Sequence, residues 1–282
     1  MQNYVFGDTG GHSRQLFATL AELGVDVDNG VIPDGMRIIH CGDLIHKGKD
    51  SSQLLQFVDN IVRKTPEKWV QILGNHEFQH IEGAPHFWRC NCTIQDVGII
   101  DDWHDDGLAF PAFGVDKVSV IEPSSGTPAE HSGGLLFTHA GLTSSWWKSM
   151  GLIPNPSILA EALNGEEVYI INRAGEMLGR PTTPLAGPVW ASASEVFDSW
   201  RLLETYDGEA EFSQVFGHST PYVWRQSRWY GSTTEAYRKA TKLNPVNRIS
   251  ITKVAGRTLY GVDPGYSIHA DTARQPYLYF ED

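Results

Sequence analysis

Five short apolar runs in this chain end in the same way, on a tight turn that carries an acid, an amide or an imidazole. Asp8 follows Tyr4-Val5-Phe6-Gly7, Asp43 follows Ile38-Ile39-His40-Cys41-Gly42, and Asn75 and His76 follow Ile72-Leu73-Gly74. His139 follows Leu135-Leu136-Phe137-Thr138, and His218 follows Val215-Phe216-Gly217. Apolar runs of this length read as buried strands. Parallel strands deliver the loops that follow them to one edge of the sheet, and in open α/β sheets ligands bind at that edge. Glycine directly before Asp8, Asp43, Asn75 and His218 lets the backbone turn sharply and approach a bound group closely.

Amphipathic stretches lie between these runs. Leu16, Phe17, Leu20 and Leu23 share one face of a helix expected over about Arg14 to Leu23. Leu54, Leu55, Val58, Ile61 and Val62 do the same over about Ser52 to Arg63, and a third helix is expected near Ile158 to Leu163. Trp69 to Leu73, Ile249 to Thr252, Thr258 to Val262 and Tyr277 to Phe280 complete the expected strands. The alternation is that of an α/β fold. Three stretches, about residues 79–111, 122–134 and 172–188, carry turn chemistry and no clear period. None has the composition of a flexible linker and no repeat is present, so the expectation is one domain over residues 1–282 with elaborated loops.

Charge and cysteine content narrow the class further. A formal net charge of −12 argues against general nucleic-acid binding. Cys41, Cys90 and Cys92 are an odd set containing one CxC pair, which does not make a disulfide framework and alone is a weak metal signal. They read as reduced thiols. No basic segment followed by a long apolar run opens the chain, so no signal peptide or membrane span is expected and the cytoplasm is the expected location.

Two Asp, one Asn and two or three His make an oxygen-and-nitrogen donor set without sulfur. Such a set suits Mn, Fe, Zn, Ni or Mg, with Mn taken first. Carboxylates can bridge two divalent ions, and an ion pair about 3.5–4 Å apart clamps both the attacking and the departing oxygen of a phosphoryl group. Water between such ions ionises near neutral pH and becomes a nucleophile. A lone Gly-Asp or Gly-His after a strand is usually a turn or a helix cap. Five such elements, each at a strand end, are hard to assign to turns alone.

Together Gly7-Asp8-Thr9-Gly10-Gly11, Gly42-Asp43-Leu44-Ile45-His46-Lys47-Gly48, Gly74-Asn75-His76-Glu77, His139-Ala140-Gly141 and Gly217-His218-Ser219-Thr220-Pro221 resemble the five blocks of the calcineurin-like metallophosphoesterases. The likeness is greatest to the phosphoprotein-phosphatase branch, which includes bacterial and phage Ser/Thr phosphatases and dinucleoside-tetraphosphatase-like enzymes and writes these blocks GDxHG, GDxxDRG, GNHE, HxG and GHT. The resemblance implies a four-layer αββα sandwich, two mixed sheets flanked by helices, with two divalent metal ions at the strand ends and hydrolysis of a phosphate ester. It implies that Asp8 binds the first metal, that Asp43 bridges both, and that Asn75, His139 and His218 hold the second. His76 is then the general acid, a role its pKa near working pH suits.

Three positions depart from that pattern. Gly10 stands where the family has a first-metal His, and the nearest imidazole, His12, is a further candidate ligand. His46 replaces the Asp that orients the catalytic His, and Lys47 replaces a phosphate-gripping Arg. Lys attracts phosphate as a point charge without the bidentate fork. Thr220 stands where the GHxH diesterases and nucleases carry a second His, which favours the phosphatase branch.

Other residues carry weaker signals. Arg14, Arg89, Arg173, Arg180, Arg225 and Arg228 lie in or beside loops and read mainly as surface charge. Trp146, Trp147, Trp224, Trp229 and Tyr230 fit packing beneath loops better than a stacking cleft. His80, His86, His104 and His131 are scattered through loops and are read as non-ligands. The expected partner is a phosphorylated small molecule, nucleotide or phosphoprotein. The leading expectation is a phosphomonoesterase, with protein phosphoserine or phosphothreonine among its substrates. The alternatives are a hydrolase of dinucleoside polyphosphates or cyclic nucleotides and, in another class, a binding protein that lost the first metal site.

Overall fold

The first three apolar runs pair side by side in parallel, with Phe6 opposite His40 and His40 opposite Gln71. The loops after them therefore leave the sheet at one edge, as the strand-end pattern requires. The computed structural model describes residues 1–81, 83–84, 86–89, 92–121, 128–130, 133–151, 155–178, 185–206 and 212–282. Cys90, His131 and Arg180 lie outside the described residues.

The sheet containing these runs has the order Ala109–Phe110, Trp69–Ile72, Met36–His40, Gln2–Phe6, Leu278–Glu281, Ser119–Ile121 and Pro128–Glu130. The second sheet has the order Thr241–Asn244, Ile249–Val254, Arg257–Gly261, Ser213–Phe216, Leu135–Thr138 and Ala112–Val115. Its strands Leu135–Thr138, Ser213–Phe216 and Arg257–Gly261 are again parallel, with Phe137 opposite Val215 and Phe216 opposite Gly261. Both sheets are mixed, as the α/β sandwich expectation requires.

Period-two alternation divides each strand between two cores. Val5, Ile39 and Ile72 from the first sheet meet Phe137, Val215 and Tyr260 from the second in one buried cluster. Their neighbours Phe6, Ile38, Leu136 and Phe216 point the other way and join the core beneath the helices. Each such side chain contributes about 1.5–3 kcal/mol by leaving water. The resulting layers are a rigid support for whatever the strand-end loops carry.

Helices cover the outer faces. Ser51–Lys64 buries Leu54, Leu55, Val58, Ile61 and Val62, the stripe read from the sequence, and packs on Trp69–Ile72. Pro156–Asn164 packs on Ala112–Val115 and Leu135–Thr138, and Ala193–Tyr206 packs on Ile249–Val254. The stretch 79–111, expected to be irregular, contains the helix Ile94–Asp105. Thr93 caps it by accepting from the Asp96 amide while Asp96 accepts from the Thr93 amide. Only Asp96, Ile100 and Trp103 of this helix are buried, so its apolar period is too sparse to read from sequence. Trp147 stacks on Trp200 and Trp146 is buried, which is the packing role expected for that pair. Among the described residues Cys41 is a buried free thiol. Among the described residues no helix is long and apolar enough to cross a membrane.

Candidate active site and metal centre

The loop from Gly42 to Gly48 has an unusual backbone. Asp43, His46 and Lys47 have φ of 53°, 67° and 54°, a left-handed region that non-glycine residues rarely adopt. Such residues cost on the order of 1–3 kcal/mol each and persist where the surroundings over-determine them. Here Glu77 provides the clamp. It is fully buried, and its carboxylate accepts from the amides of Asp43 and Gly74 at 2.8 Å and from those of Leu44 and Ile45 at 2.8 and 3.3 Å. On the other side the Gly10 and Gly11 amides donate to the carbonyls of Asp43 and Leu44. Gly74 admits the loop: a Cβ there would lie 2.2 Å from Asp43 Oδ1.

The loop aims Asp43 at a point shared with three other acceptors. His139 Nδ1 lies 2.7 Å from the Cys41 carbonyl, so it carries the proton and leaves a lone pair on Nε2. That Nε2 lies 3.0 Å from Asn75 Oδ1, 3.0 Å from His218 Nδ1 and 3.4 Å from Asp43 Oδ1. With its oxygen turned inward, Asn75 faces only acceptors; with the amide turned over, its NH2 donates to Asp43 and His139. With the Asn75 oxygen inward and the His218 proton on Nε2, these four groups present converging lone pairs that fit a divalent cation. Burial, then the neighbouring cationic and imidazole groups, hold the His139 and His218 imidazoles below their ordinary range, so both are neutral and able to ligate.

The other half of the site is built differently. Asp8 is 1% exposed, and its Oδ2 accepts from Lys47 Nζ at 3.0 Å. The same ammonium lies 3.9 Å from Asp43 Oδ2. A Cβ on Gly10 would sit 3.1 Å from Lys47 Cδ, so the lysine stem fills the space beside the position where the family places a histidine. Burial alone would lower the Lys47 pKa, but Asp8, Asp43 and Asp263 outweigh it and hold the ammonium firmly charged. His12 turns away: its Nε2 lies 2.8 Å from the Ser267 carbonyl, and its ring meets Tyr266 edge-on.

His76 faces both halves. Its Nε2 lies 3.7 Å from Asp43 Oδ2, and its Nδ1 lies 2.6 Å from Nδ1 of His46. The rings of Phe87 and Trp88 stand edge-on to it, which shields it from water. Burial pushes His76 down to about 4 and His46 down to about 3. The imidazole pair is therefore neutral, unlike a His–carboxylate pair.

Two clefts open beside this centre. One is lined by His218, Thr220, Tyr230, Thr233, Glu176 and Asp263. The other is lined by His12, Arg14, Lys47, Lys49 and His269 and carries the basic side chains. Asp8, Asp43, Asn75, His76, His139, His218, His46 and Lys47 are thus all brought together, whereas Arg89 and Arg228 point to solvent. Arg225 bonds to the Ser267 side chain. Glu77 and Asp263 received no role from sequence reasoning. Glu77 lies inside the Gly74-Asn75-His76-Glu77 block, and Asp263 follows the strand Arg257–Gly261 just as Asp8 follows its own strand, so the same strand-end rule would have found it.

A neutral histidine cluster, a buried carboxylate and strand-end loops from two sheets are the features of a metal-dependent phosphoesterase. The model of the calcineurin-like phosphoesterases matches residues 1–249, and the chain belongs to that family. Among solved structures, it is similar to a protein serine/threonine phosphatase from Saccharomyces cerevisiae with similarity to human phosphatase PP5, at 11% identity and a TM-score of 0.48 over 100% of this chain and 80% of that one. It is also similar to a cold-active protein-tyrosine phosphatase of the psychrophile Shewanella sp., at 14% identity and a TM-score of 0.45, over 94% of this chain and 73% of that one. No curated protein matches the sequence.

Proposed function

We propose that the chain hydrolyses phosphomonoesters with a divalent ion, manganese first among the candidates, held by Asp43, Asn75, His139 and His218. The observation that carries this reading is the convergence of Asn75 Oδ1, His218 Nδ1 and Asp43 Oδ1 within 3.4 Å of His139 Nε2, with His76 Nε2 3.7 Å from the same Asp43 carboxylate. A divalent ion in such a site supplies Lewis acidity toward phosphoryl oxygen and lowers the pKa of water. The family is generally a two-metal one, and Asp8 with Asp43 would hold the other ion. In this chain the Lys47 ammonium already stands on those two carboxylates. We therefore assign one divalent ion per chain, with Lys47 as the fixed cation of the first half.

The remaining work falls to the chain's own groups. Lys47 attracts the phosphate as a point charge from the basic cleft that also holds Arg14 and Lys49. His76 presents Nε2 toward the centre and hydrogen-bonds the leaving-group oxygen, with His46 fixing its other nitrogen. Glu77 keeps Asp43 in place without touching substrate. Trp88 is 46% exposed while its ring stands against His76, which gives an aromatic leaving group or a base a surface beside the acid. That feature favours the nucleotide hydrolase as the second reading.

The test is hydrolysis of p-nitrophenyl phosphate, its bis ester, a phosphoserine peptide and a dinucleoside polyphosphate by chelated protein after Mn²⁺ is added, with Asp43→Asn and His76→Ala as controls. Metal-dependent turnover of the monoester, lost in both variants, is the expected result. Preference for the bis ester or the dinucleotide would replace the monoesterase reading. No turnover with any divalent metal by folded protein would leave a binding protein.

A further inference from the structure

From sequence His80 reads as a non-ligand and Cys92 as part of a CxC pair that alone is a weak metal signal, yet the fold brings both to His46. Nitrogen atoms of His46 and His80 and the Cys92 sulfur all lie within 4.8 Å of one another. His46 is 1% exposed, and the other two are half-buried. The Nε2 atoms of His46 and His80 are 3.4 Å apart. Two imidazole nitrogens on one tetrahedral zinc, each at ~2.0–2.1 Å, stand about 3.3–3.4 Å apart, so the rings already have the spacing of co-ligands. Their arrangement is edge-to-face, with ring centroids 5.4 Å apart.

We propose that His46, His80 and Cys92 form a metal site for a zinc-class ion, separate from the centre at Asp43, Asn75, His139 and His218. The donor set differs in kind. Thiolate with two imidazoles selects a borderline or soft ion, whereas the carboxylate and amide oxygens of the main centre suit a harder one. Three protein ligands leave a fourth position to water or to His86, which lines the same cleft as His80 and Cys92. Gln79 supports the site. Its oxygen accepts from the amides of Phe87 and Trp88, which fixes the backbone there. Its nitrogen, 3.3 Å from His80 Nε2, is the donor that the ion displaces.

Such an ion also decides where a proton sits. With Nε2 on the ion, a neutral His46 keeps its proton on Nδ1. That N–H donates to His76 Nδ1, 2.6 Å away, and His76 then carries its own proton on Nε2, the nitrogen facing Asp43. His46 is thus a positioning residue that fixes the His76 tautomer, a consequence that rests on the phosphoesterase reading above. Binding of the ion does not rest on it.

The full-length protein, stripped by chelation, is titrated with Co²⁺ as the spectroscopic stand-in for zinc. The expected result is a thiolate-to-cobalt charge-transfer band in the near ultraviolet, absent from Cys92→Ser. His80→Gln removes a direct ligand and should weaken the binding that produces it by about 10²-fold or more, since losing even a group behind a ligand costs about 10–100-fold. Circular dichroism confirms that each variant is folded. A folded wild-type protein with no such band at saturating Co²⁺ would overturn the proposal, and so would a band of equal strength in Cys92→Ser. The band is read without turnover, so an inactive protein that shows it would defeat only the phosphoesterase reading. An active protein without it would defeat only this one.

Discussion

The two halves of the centre at Asp43 face the same carboxylate but solve opposite problems. On one side Asn75, His139 and His218 present lone pairs to each other at 3.0 Å with no cation of their own. On the other, Asp8 meets a cation that the chain carries covalently, Lys47 at 3.0 Å. In the proposed reading the first half takes an ion from solution, while in the second the Lys47 ammonium already faces Asp8. An ammonium is a fixed single charge that cannot polarise a bound oxygen as a divalent ion does. The difference teaches that the Gly10 position and Lys47 share one space, since a Cβ on Gly10 would lie 3.1 Å from Lys47 Cδ. The lysine stem occupies the space beside Gly10, and its head sits on the orphaned carboxylate.

The largest effect should come from breaking the acceptor half. His139→Ala should lower kcat by about 10³-fold or more and remove the bound divalent ion, read by steady-state hydrolysis and elemental analysis of the purified variant. Chelation of the wild-type protein should reproduce the loss. Next, Lys47→Met keeps the stem and removes the charge. It should lower kcat by about 10²-fold while raising metal content from one toward two ions per chain, because Asp8 loses its internal partner. Two ions in the wild type, unchanged in the variant, would break the comparison between the halves.

Glu77→Gln tests the clamp that both halves share. One carboxylate oxygen becomes an NH2 group that faces backbone N–H donors, so the variant should be destabilised by about 2–3 kcal/mol in chemical denaturation. An unchanged midpoint would show that the left-handed loop is held without it. The smallest effect belongs to His12→Ala. It loses one hydrogen bond to Ser267, about 1 kcal/mol, and metal content should stay as it was. A fall in metal content would return His12 to the first half as a ligand.

Much of this was legible in the chain. The strands Gln2–Phe6, Met36–His40, Trp69–Ile72, Leu135–Thr138 and Ser213–Phe216 announce themselves as apolar runs, and the chemistry-bearing residues fall directly after them. The covalent spacing alone puts Asp8, Asp43, Asn75, His139 and His218 at strand ends, because a short turn cannot carry them elsewhere. The helix Ile94–Asp105 was not legible, since its buried positions are few and include a capping acid. Glu77 was visible as a letter in a motif, but three of its four amide contacts depend on a loop more than thirty residues away.

Sequence by itself determined the fold class, the edge on which the site is built and the residue types that supply it, because period and spacing are local properties of the backbone. Tertiary structure decided which partners those residues meet. That Lys47 sits on Asp8, that His46 turns one nitrogen to His76 and the other to His80, and that Cys92 joins them are contacts between segments far apart in the chain. Such contacts follow from how two sheets and their loops pack, and side-chain packing in space leaves no period in the sequence to read.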